Sequence, residues 1–514
     1  MGSIGVTVTL SDMDKNLEGK PKDRNDPKVL DDPVQNAMGQ LGRWHIVICS
    51  ALFFVKFPVA MHNMAIIFLS PPPSFRCVSP PGISDGCSAD CKQVEYNRTV
   101  FTETIITQWD LICDKSQLAN LSQTIFMLGV LIGNFGFGVW SDKKGRRPPF
   151  LAAIVLQLVA GTLAAFAPWF WLFCILRFIT AAATGGTMCT GLVIVMEIIG
   201  KKWRELFSVL YQVPFFLGHL CLPLAAYFFR DWHHFQLAIS LPVVLLLSYY
   251  WLVPESPRWL FTVGKLDEAS KILQKAAERN NLPTENIRSD LEKTFKEKDS
   301  KDETSKGNVV DLFRTPNMRQ KSLILIVTWF ICGLTYFGVA QYVGHVEGDI
   351  FLNVAVSALL ELPGTVICIV MMKYFGRRVS VMISCALTGV GMLCIAFISR
   401  DMQSPIVALA SIALVSMSIA YQTFYLYGCE LFPTVVRNVG VGICSMSARA
   451  GSTVAPFIVG FGTRNYLVPP IIFGVLPLTG ALLTFFLPET KGFVLPETIA
   501  DGEKFGKKEG KVKT

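Results

Sequence analysis

The chain has 514 residues, of which 51% are hydrophobic and only 17% charged, a balance too apolar for a soluble multidomain protein of this length. Its formal net charge of +8 is carried largely by short loops between apolar segments, which excludes a nucleic-acid patch as the reason for the basic excess. The composition is that of a polytopic membrane protein.

Residues 1–43 are polar and mixed in charge, with no basic-then-apolar leader and no small-residue cleavage site, so the first apolar span is expected to act as the insertion signal. Segments of about 20 apolar residues, enough to cross roughly 30 Å of hydrocarbon at 1.5 Å per residue, then recur twelve times. They run from Trp44 to Leu69, Gln117 to Trp140, Pro149 to Ala167, Trp171 to Glu197, Leu206 to Phe228 and Phe235 to Val253 in the first half of the chain. Those of the second half run from Ser322 to Tyr342, Ile350 to Met372, Val379 to Ser399, Pro405 to Gly428, Val436 to Gly460 and Val468 to Leu487. The expected division is a tail over 1–43, a six-span half over 44–254, a linker over 255–321, a second six-span half over 322–487 and a tail over 488–514.

Between the first two spans lies a long loop, 70–116, with Cys77, Cys87, Cys91 and Cys113. In an oxidising compartment an even set of this kind forms two disulfides, by any of three pairings. The same loop carries Asn97-Arg98-Thr99, an acceptor pattern for N-glycosylation. Loops after spans two, four and eight read SDKKGRR, GKKWRE and KYFGRR, whereas those after spans three, seven and nine read AP, GHVEGD and RD. The positive-inside rule therefore assigns the basic loops, and both termini with them, to the cytoplasm. In the linker, Leu266, Ala269, Ile272, Leu273 and Ala276 fall on one face of a helix, and a second charged helix is expected near Glu285 to Lys298.

The two halves repeat one another. Gly145 of SDKKGRR recurs as Gly376 of KYFGRR, Glu197 of MEIIGKKWR as Glu430 of CELFPTVVRN, and Glu255 of PESPR as Glu489 of PETKG, at offsets of 231, 233 and 234 residues. Three motifs repeating at nearly one offset indicate duplication of a six-helix unit, an architecture that places a transport site between the halves near the bilayer midplane.

GVWSDKKGRR resembles the loop between helices two and three of the major facilitator superfamily, and PESPRWL with PETKG resembles its branch of sugar porters and organic-ion transporters. The cysteine-bearing loop closed by QWDLICDKS, together with DLFRTPNMR and ELFPTVVRNVG, is similar to the organic cation, anion and zwitterion (carnitine) transporter family. The resemblance covers the chain from about Arg43 to Gly492. It implies an all-α fold of twelve helices in two pseudo-repeats, and an inner gate built from Asp142, Arg146, Glu197, Arg377, Arg378, Glu430 and Arg437.

Arg449 lies about 13 residues into its span, roughly 20 Å deep, where a lipid-exposed charge costs about 2.5 to 3.5 kcal/mol or more. Its neighbours Ala448, Ala450, Gly451 and Ser452 suit a helix packed closely inside a bundle. Glu361 is the one acid comparably deep in the second half, and the two are expected either to pair with each other or to take the two ends of a zwitterion. In the family resembled, cation carriers have an aspartate at the position of Arg449, while anion and carnitine carriers have an arginine. Anion carriers add a lysine where this chain has Thr365, and cation carriers have a lysine and a tryptophan where it has Gly186 and Met188. The pattern is nearest the carnitine-type branch. Trp329, Tyr336, Phe215, Tyr421 and Gln422 match cavity positions of that family, and aromatic faces hold ammonium groups by cation–π attraction. Lys56, His62, Arg177 and His219 are further buried polar residues, with gating, proton coupling or packing as their alternatives.

These features point to a plasma-membrane carrier of a small organic ion, working by alternating access without ATP. A zwitterion or amine, carnitine-like or β-alanine-like, is the leading cargo; organic cations or anions come next, then sugars, then a transporter-shaped sensor. Uniport, exchange and coupling to Na+ or H+ stay open. No cofactor, metal site, nucleotide loop or nucleophile–base arrangement is expected, and no enzyme activity.

Overall fold

The computed structural model describes residues 32–79, 87, 91, 93–299, 309–346, 348–399, 402–462, 465–493, 496 and 498–506; most of the expected N-terminal tail, 1–31, and the end of the C-terminal one, 507–514, lie outside the described residues. Twelve long helices dominate. We number them α1 (Arg43–Leu69), α2 (Ser116–Lys144), α3 (Arg147–Ala164), α4 (Phe170–Ile198), α5 (Leu206–Phe228) and α6 (Trp232–Leu252), then α7 (Pro316–His345), α8 (Ile350–Tyr374), α9 (Arg377–Ile395), α10 (Gln403–Leu431), α11 (Arg437–Phe461) and α12 (Val468–Phe485). All except α11 have both the length and the apolar composition of a membrane span. At 25 residues α11 is long enough, but Arg437, Asn438, Arg449 and its serines and glycines dilute its apolar content. A helix of that kind persists in a bilayer only with its polar face turned into the bundle.

Several helices run past the expected bounds because a helix end is set by its cap and not by the bilayer edge. Proline occupies the first turn of α3, α7 and α12, where its missing N–H costs nothing. Asp231 caps α6 by accepting from the His233 N–H at 2.8 Å, and Asp349 caps α8 by accepting from Phe351 at 2.9 Å. Helix α1 is interrupted at Val55 and Ala65; the first break precedes Pro58, which has no N–H to offer Phe54.

Between α1 and α2, β1 (Phe75–Ser79) pairs antiparallel with β2 (Gln93–Tyr96), Phe75 opposite Tyr96. Of the three possible cysteine pairings, the chain has Cys77–Cys91 and Cys87–Cys113. Asn97 is exposed just beyond β2. The loop is anchored on the first half by Trp109, whose ring meets those of Phe173 at 5.4 Å and Trp232 at 5.4 Å.

At the opposite end of the bundle, the linker helix Leu266–Arg279 buries Ala269, Leu273 and Ala276, with Leu266 and Ile272 partly covered. Asn280 then ties the linker to the start of α1, accepting from the Trp44 N–H at 3.0 Å and donating to the Met38 carbonyl at 2.9 Å.

The halves meet along α2–α11 and α5–α8. Toward the disulfide loop, α2 and α11 converge: Gly460 abuts Asn120, and the Thr124 hydroxyl donates to the Thr453 carbonyl at 3.1 Å. Nearer the basic loops, a side chain added at Gly136 of α2 or Gly442 of α11 would meet no described atom within 4 Å. Helices α5 and α8 stay together there through Val209, Cys368 and Met372.

Candidate substrate site and basic-loop clusters

At the basic-loop end, each half builds the same cluster. Arg146 bonds Glu197 at 2.7 Å and also pairs with Asp142, while the backbone N–H of Arg146 donates to Glu255 Oε1 at 2.7 Å. In the second half, Arg377 bonds Glu430 at 2.7 Å, and the N–H groups of Arg377 and Arg378 donate to Glu489 at 2.9 and 3.0 Å. Glu255 and Glu489 thus accept from the orphan N–H donors at the starts of α3 and α9, where the helix dipole also favours a carboxylate. Those carboxylates occupy the space a side chain would need at Gly145 (φ +99°) and Gly376 (φ +84°). Both glycines are therefore required twice over, by backbone conformation and by contact. Burial lowers the pKa of Arg146, but the hydrogen bonds and charges of Glu197 and Asp142 outweigh it and hold the guanidinium above its ordinary value.

Two further residues of the expected inner gate make other contacts in this structure. Arg378 places its guanidinium 4.7 Å from the centre of the Phe485 ring. Arg437 donates from Nε to the Phe432 carbonyl at 3.3 Å, as Arg204 does to Ile199 at 3.3 Å in the first half. The acids that they would need are already engaged by Arg377 and by the helix N–H groups.

At the centre, Glu361 of α8 is fully buried and has two partners. The Tyr336 hydroxyl of α7 donates to Oε1 at 2.9 Å, and His219 Nδ1 of α5 lies 2.9 Å from Oε2. The His219 contact crosses from one half to the other. No ion pair joins Glu361 to Arg449 among the described residues; of the two alternatives for this acid and this arginine, direct pairing is not the one seen, and Glu361 pairs with His219 and Tyr336. Helices α7 and α11 are pressed backbone to backbone where Gly333 meets Ala448 and Gly451 meets Phe330, while Glu361 of α8 reaches across to His219 of α5.

Arg449 is 5% exposed, and its Nε has no hydrogen-bond partner among the described residues. It lies in the field of the Tyr421 and Tyr425 hydroxyls. Those tyrosines belong to a wall of rings: Trp329 to Tyr425 4.6 Å, Trp329 to Tyr421 6.2 Å, Tyr336 to Tyr421 5.9 Å and Tyr421 to Tyr425 5.7 Å. Gln422 is buried beside Ser418, its Oε1 without a described partner. Trp329, Tyr336, Tyr421, Glu361 and Arg449 are therefore brought together. Phe215 is not part of that wall; its ring stacks edge-on with Phe216 at 6.1 Å and lies 5.9 Å from the Lys56 ammonium.

Lys56 of α1 is buried to 4% exposure, with Nζ 3.3 Å from Gln212 Oε1 and 4.7 Å from the centre of the Tyr211 ring. A cation–π contact contributes about 0.5 to 2 kcal/mol, less than the several kcal/mol an ion loses on leaving water. Neither Lys56 nor Arg449 has an acidic partner among the described residues, so the centre holds two under-compensated cations.

The chain matches a family model described as "Sugar (and other) transporter" over residues 84–499. It is 36% identical to a Drosophila melanogaster protein named organic cation transporter protein, over 93% of this chain and 95% of that one. It is 34% identical to human organic cation/carnitine transporter 2, over 79% of this chain and 72% of the relative. The chain belongs to the organic cation/carnitine transporter family of the major facilitator superfamily. In fold it is similar to the inward-open xylose transporter XylE of E. coli, with a TM-score of 0.64, 18% identity, and coverage of 89% of this chain and 98% of that one.

As a member of the organic cation/carnitine transporter family it is a polytopic membrane transporter of organic ions, which makes the unpaired charges at its centre the first residues to consider for cargo. Two residues, Tyr425 and Phe351, escaped sequence reasoning, and so did the partner of His219. Tyr425 is one helical turn beyond Tyr421, a spacing that could have flagged it. His219 lacked a visible partner because Glu361 is 142 positions away. Phe351, at the start of α8, is held among first-half groups, 5.7 Å from Phe68, 5.5 Å from Phe101 and 5.6 Å from Tyr227, and nothing in its local sequence distinguishes it from packing.

Proposed function

We propose that this chain is a plasma-membrane carrier for small organic ions that bear a carboxylate, zwitterions of the carnitine or β-alanine type foremost, and that it works by alternating access. The observation that carries this reading is the buried Arg449 guanidinium with an unpartnered Nε. A guanidinium binds a carboxylate in a bidentate fork, and a cargo carboxylate supplies the charge that this arginine lacks. Trp329, Tyr336, Tyr421 and Tyr425 present aromatic faces to an ammonium, with Glu361 behind them. Phe215 and Gln422 complete the assignment from the sides of α5 and α10. The name of the human relative, organic cation/carnitine transporter 2, agrees with a carboxylate-bearing cation as cargo.

In this reading the basic loops and both termini are cytoplasmic, Asn97 carries glycan on the outside, and the interior opens between α2 and α11 toward the cytoplasm. Phe351 and its ring neighbours close the outer side. The clusters around Arg146 and Arg377 hold the inner helix ends in register as the halves rock. A pure organic-cation carrier is the second reading, favoured by Glu361, the one central buried acid among the described residues, standing behind a ring wall.

Radiolabelled uptake in oocytes decides between them, with carnitine, β-alanine, a quaternary ammonium without a carboxylate and an aromatic carboxylate, each with and without sodium. Carboxylate-bearing compounds should enter, and Arg449→Lys should lower their uptake about 10- to 100-fold, or 1.4 to 2.8 kcal/mol. Uptake confined to the quaternary ammonium, insensitive to Arg449→Lys, would overturn the carboxylate reading in favour of the second.

A further inference from the structure

Arg177 takes no part in the function proposed above, and its surroundings set it apart from the arginines of the basic-loop clusters. It lies roughly 10 Å along α4 from Phe170, on the disulfide-loop side of the first half, and is 1% exposed. Its Nη2 donates to Gln123 Oε1 of α2 at 2.8 Å. Its Nε is buried without a partner, and no acid pairs with it among the described residues. The rings of Phe126 and Phe173 flank the guanidinium at 4.5 and 5.7 Å. Phe173 in turn meets Trp109 and Trp232 at 5.4 and 5.2 Å, so the charge sits beneath the rings that anchor the loop.

Gln123 does not neutralise that charge. Its oxygen is engaged by Arg177 and its nitrogen by the Asn63 carbonyl of α1 at 3.2 Å, so the amide passes a dipole on to α1 and supplies no counter-charge. The Asn63 side chain, joined to the guanidinium through this relay, is 1% exposed, and both of its amide atoms are without a partner among the described residues. Ring contacts offset only part of what a buried ion loses on leaving water. Packing does not require the charge either. At the offset of 233 that relates Glu197 to Glu430, Arg177 has Ala410 as its counterpart, and at the offset of 231 that relates Gly145 to Gly376, Gln123 has Val354. Both are fully buried, so the second half fills the equivalent places with apolar side chains.

We propose that Arg177, with the Asn63 amide, forms a binding site for a halide ion inside the first half, separate from the cargo site. The free Nε–H and the Asn63 N–H groups are donors, and a buried cation without an acid calls for an anion. Water would satisfy the amide but leave the charge uncompensated. The rings of Phe126 and Phe173 wall the guanidinium on its faces, which favours a small, spherical, readily dehydrated ion over a bulky one. The ion joins residues of α1, α2 and α4, all from one half, so its binding stabilises the first half as a unit and does not span the interface at which the halves move.

The test uses the purified full chain in detergent, titrated from sodium gluconate into sodium chloride at constant ionic strength, with the thermal midpoint as readout. In the wild type, about 0.1 M chloride should raise the midpoint by about 2 °C, saturating with a dissociation constant on the order of 10 mM, and bromide should act alike. Arg177→Gln should remove the rise, and Asn63→Leu, which keeps the charge and removes the amide, should move its saturation to about tenfold higher chloride. Arg177→Lys, which loses the Nε donor, serves in place of Arg177→Gln should the latter not fold, with saturation at least about tenfold higher. Arg449→Gln and Lys56→Gln alter the two cations at the centre and should leave the rise in place. A wild-type midpoint indifferent to chloride, a rise that survives the Arg177 substitution unchanged, or one abolished by Arg449→Gln or Lys56→Gln would overturn the proposal.

Discussion

The two halves of the molecule are near copies at their basic-loop ends and unlike one another at their centres. At the ends, an arginine, a helix-end glutamate and a glutamate that caps the next helix recur as Arg146, Glu197 and Glu255 and as Arg377, Glu430 and Glu489. At the centres, the first half offers Lys56 and His219, and the second offers Glu361, Arg449 and four aromatic rings. The difference separates two demands. Fixing helix ends is the same mechanical task in both halves, so duplicated residues serve it; a site for one asymmetric ion needs different chemistry on its two sides.

The largest expected effect lies at the centre. Arg449→Asp places a second acid near Glu361 and removes the anchor, and should lower uptake of carboxylate-bearing cargo more than 100-fold, beyond about 2.7 kcal/mol, with surface abundance followed in the same cells. Retention of that uptake would erase the distinction between centre and ends. Next come the paired arginines. Arg146 and Arg377 are each largely buried beside a buried or half-buried acid, and removing one partner of such a pair costs about 3 to 5 kcal/mol. Arg146→Ala and Arg377→Ala should therefore destabilise the purified protein to a similar degree, read as loss of thermal midpoint in detergent. A large effect from only one would mean that the copies are not equivalent in energy.

A smaller pair of effects tests the glycines. Gly145→Ala and Gly376→Ala each force a side chain into a positive-φ conformation worth about 1 to 3 kcal/mol of strain and against the Glu255 or Glu489 carboxylate. The two should shift the thermal midpoint alike. The smallest effect belongs to a place where the ends differ: Asp142 has Lys373 as its counterpart at the offset of Gly145 to Gly376. Asp142 is 76% exposed at its side chain, so its pairing with Arg146 contributes about 0 to 1 kcal/mol after screening. Asp142→Asn should leave the thermal midpoint within a degree or two of wild type, while Arg146→Ala should not.

The sequence by itself determined the class of fold, the twelve spans, the repeat and the candidate charges, because each is written locally: apolar runs of bilayer length, motifs at a fixed offset, an arginine among small residues. It located Glu361, Arg449, Trp329, Tyr336 and Tyr421 as residues worth attention, since a charge or a ring pair within an apolar run stands out against its neighbours. Pairings were decided only by the tertiary structure. Four cysteines are compatible with three connectivities until the loop folds, and Glu361 could have met Arg449 until the fold set His219 of the other half and Tyr336 against its two oxygens. His219 comes from the opposite half to Glu361, and the interval between them in the chain carries no sign that they meet. Electrostatic energy depends on distance through space, and the local sequence pattern records distance along the chain.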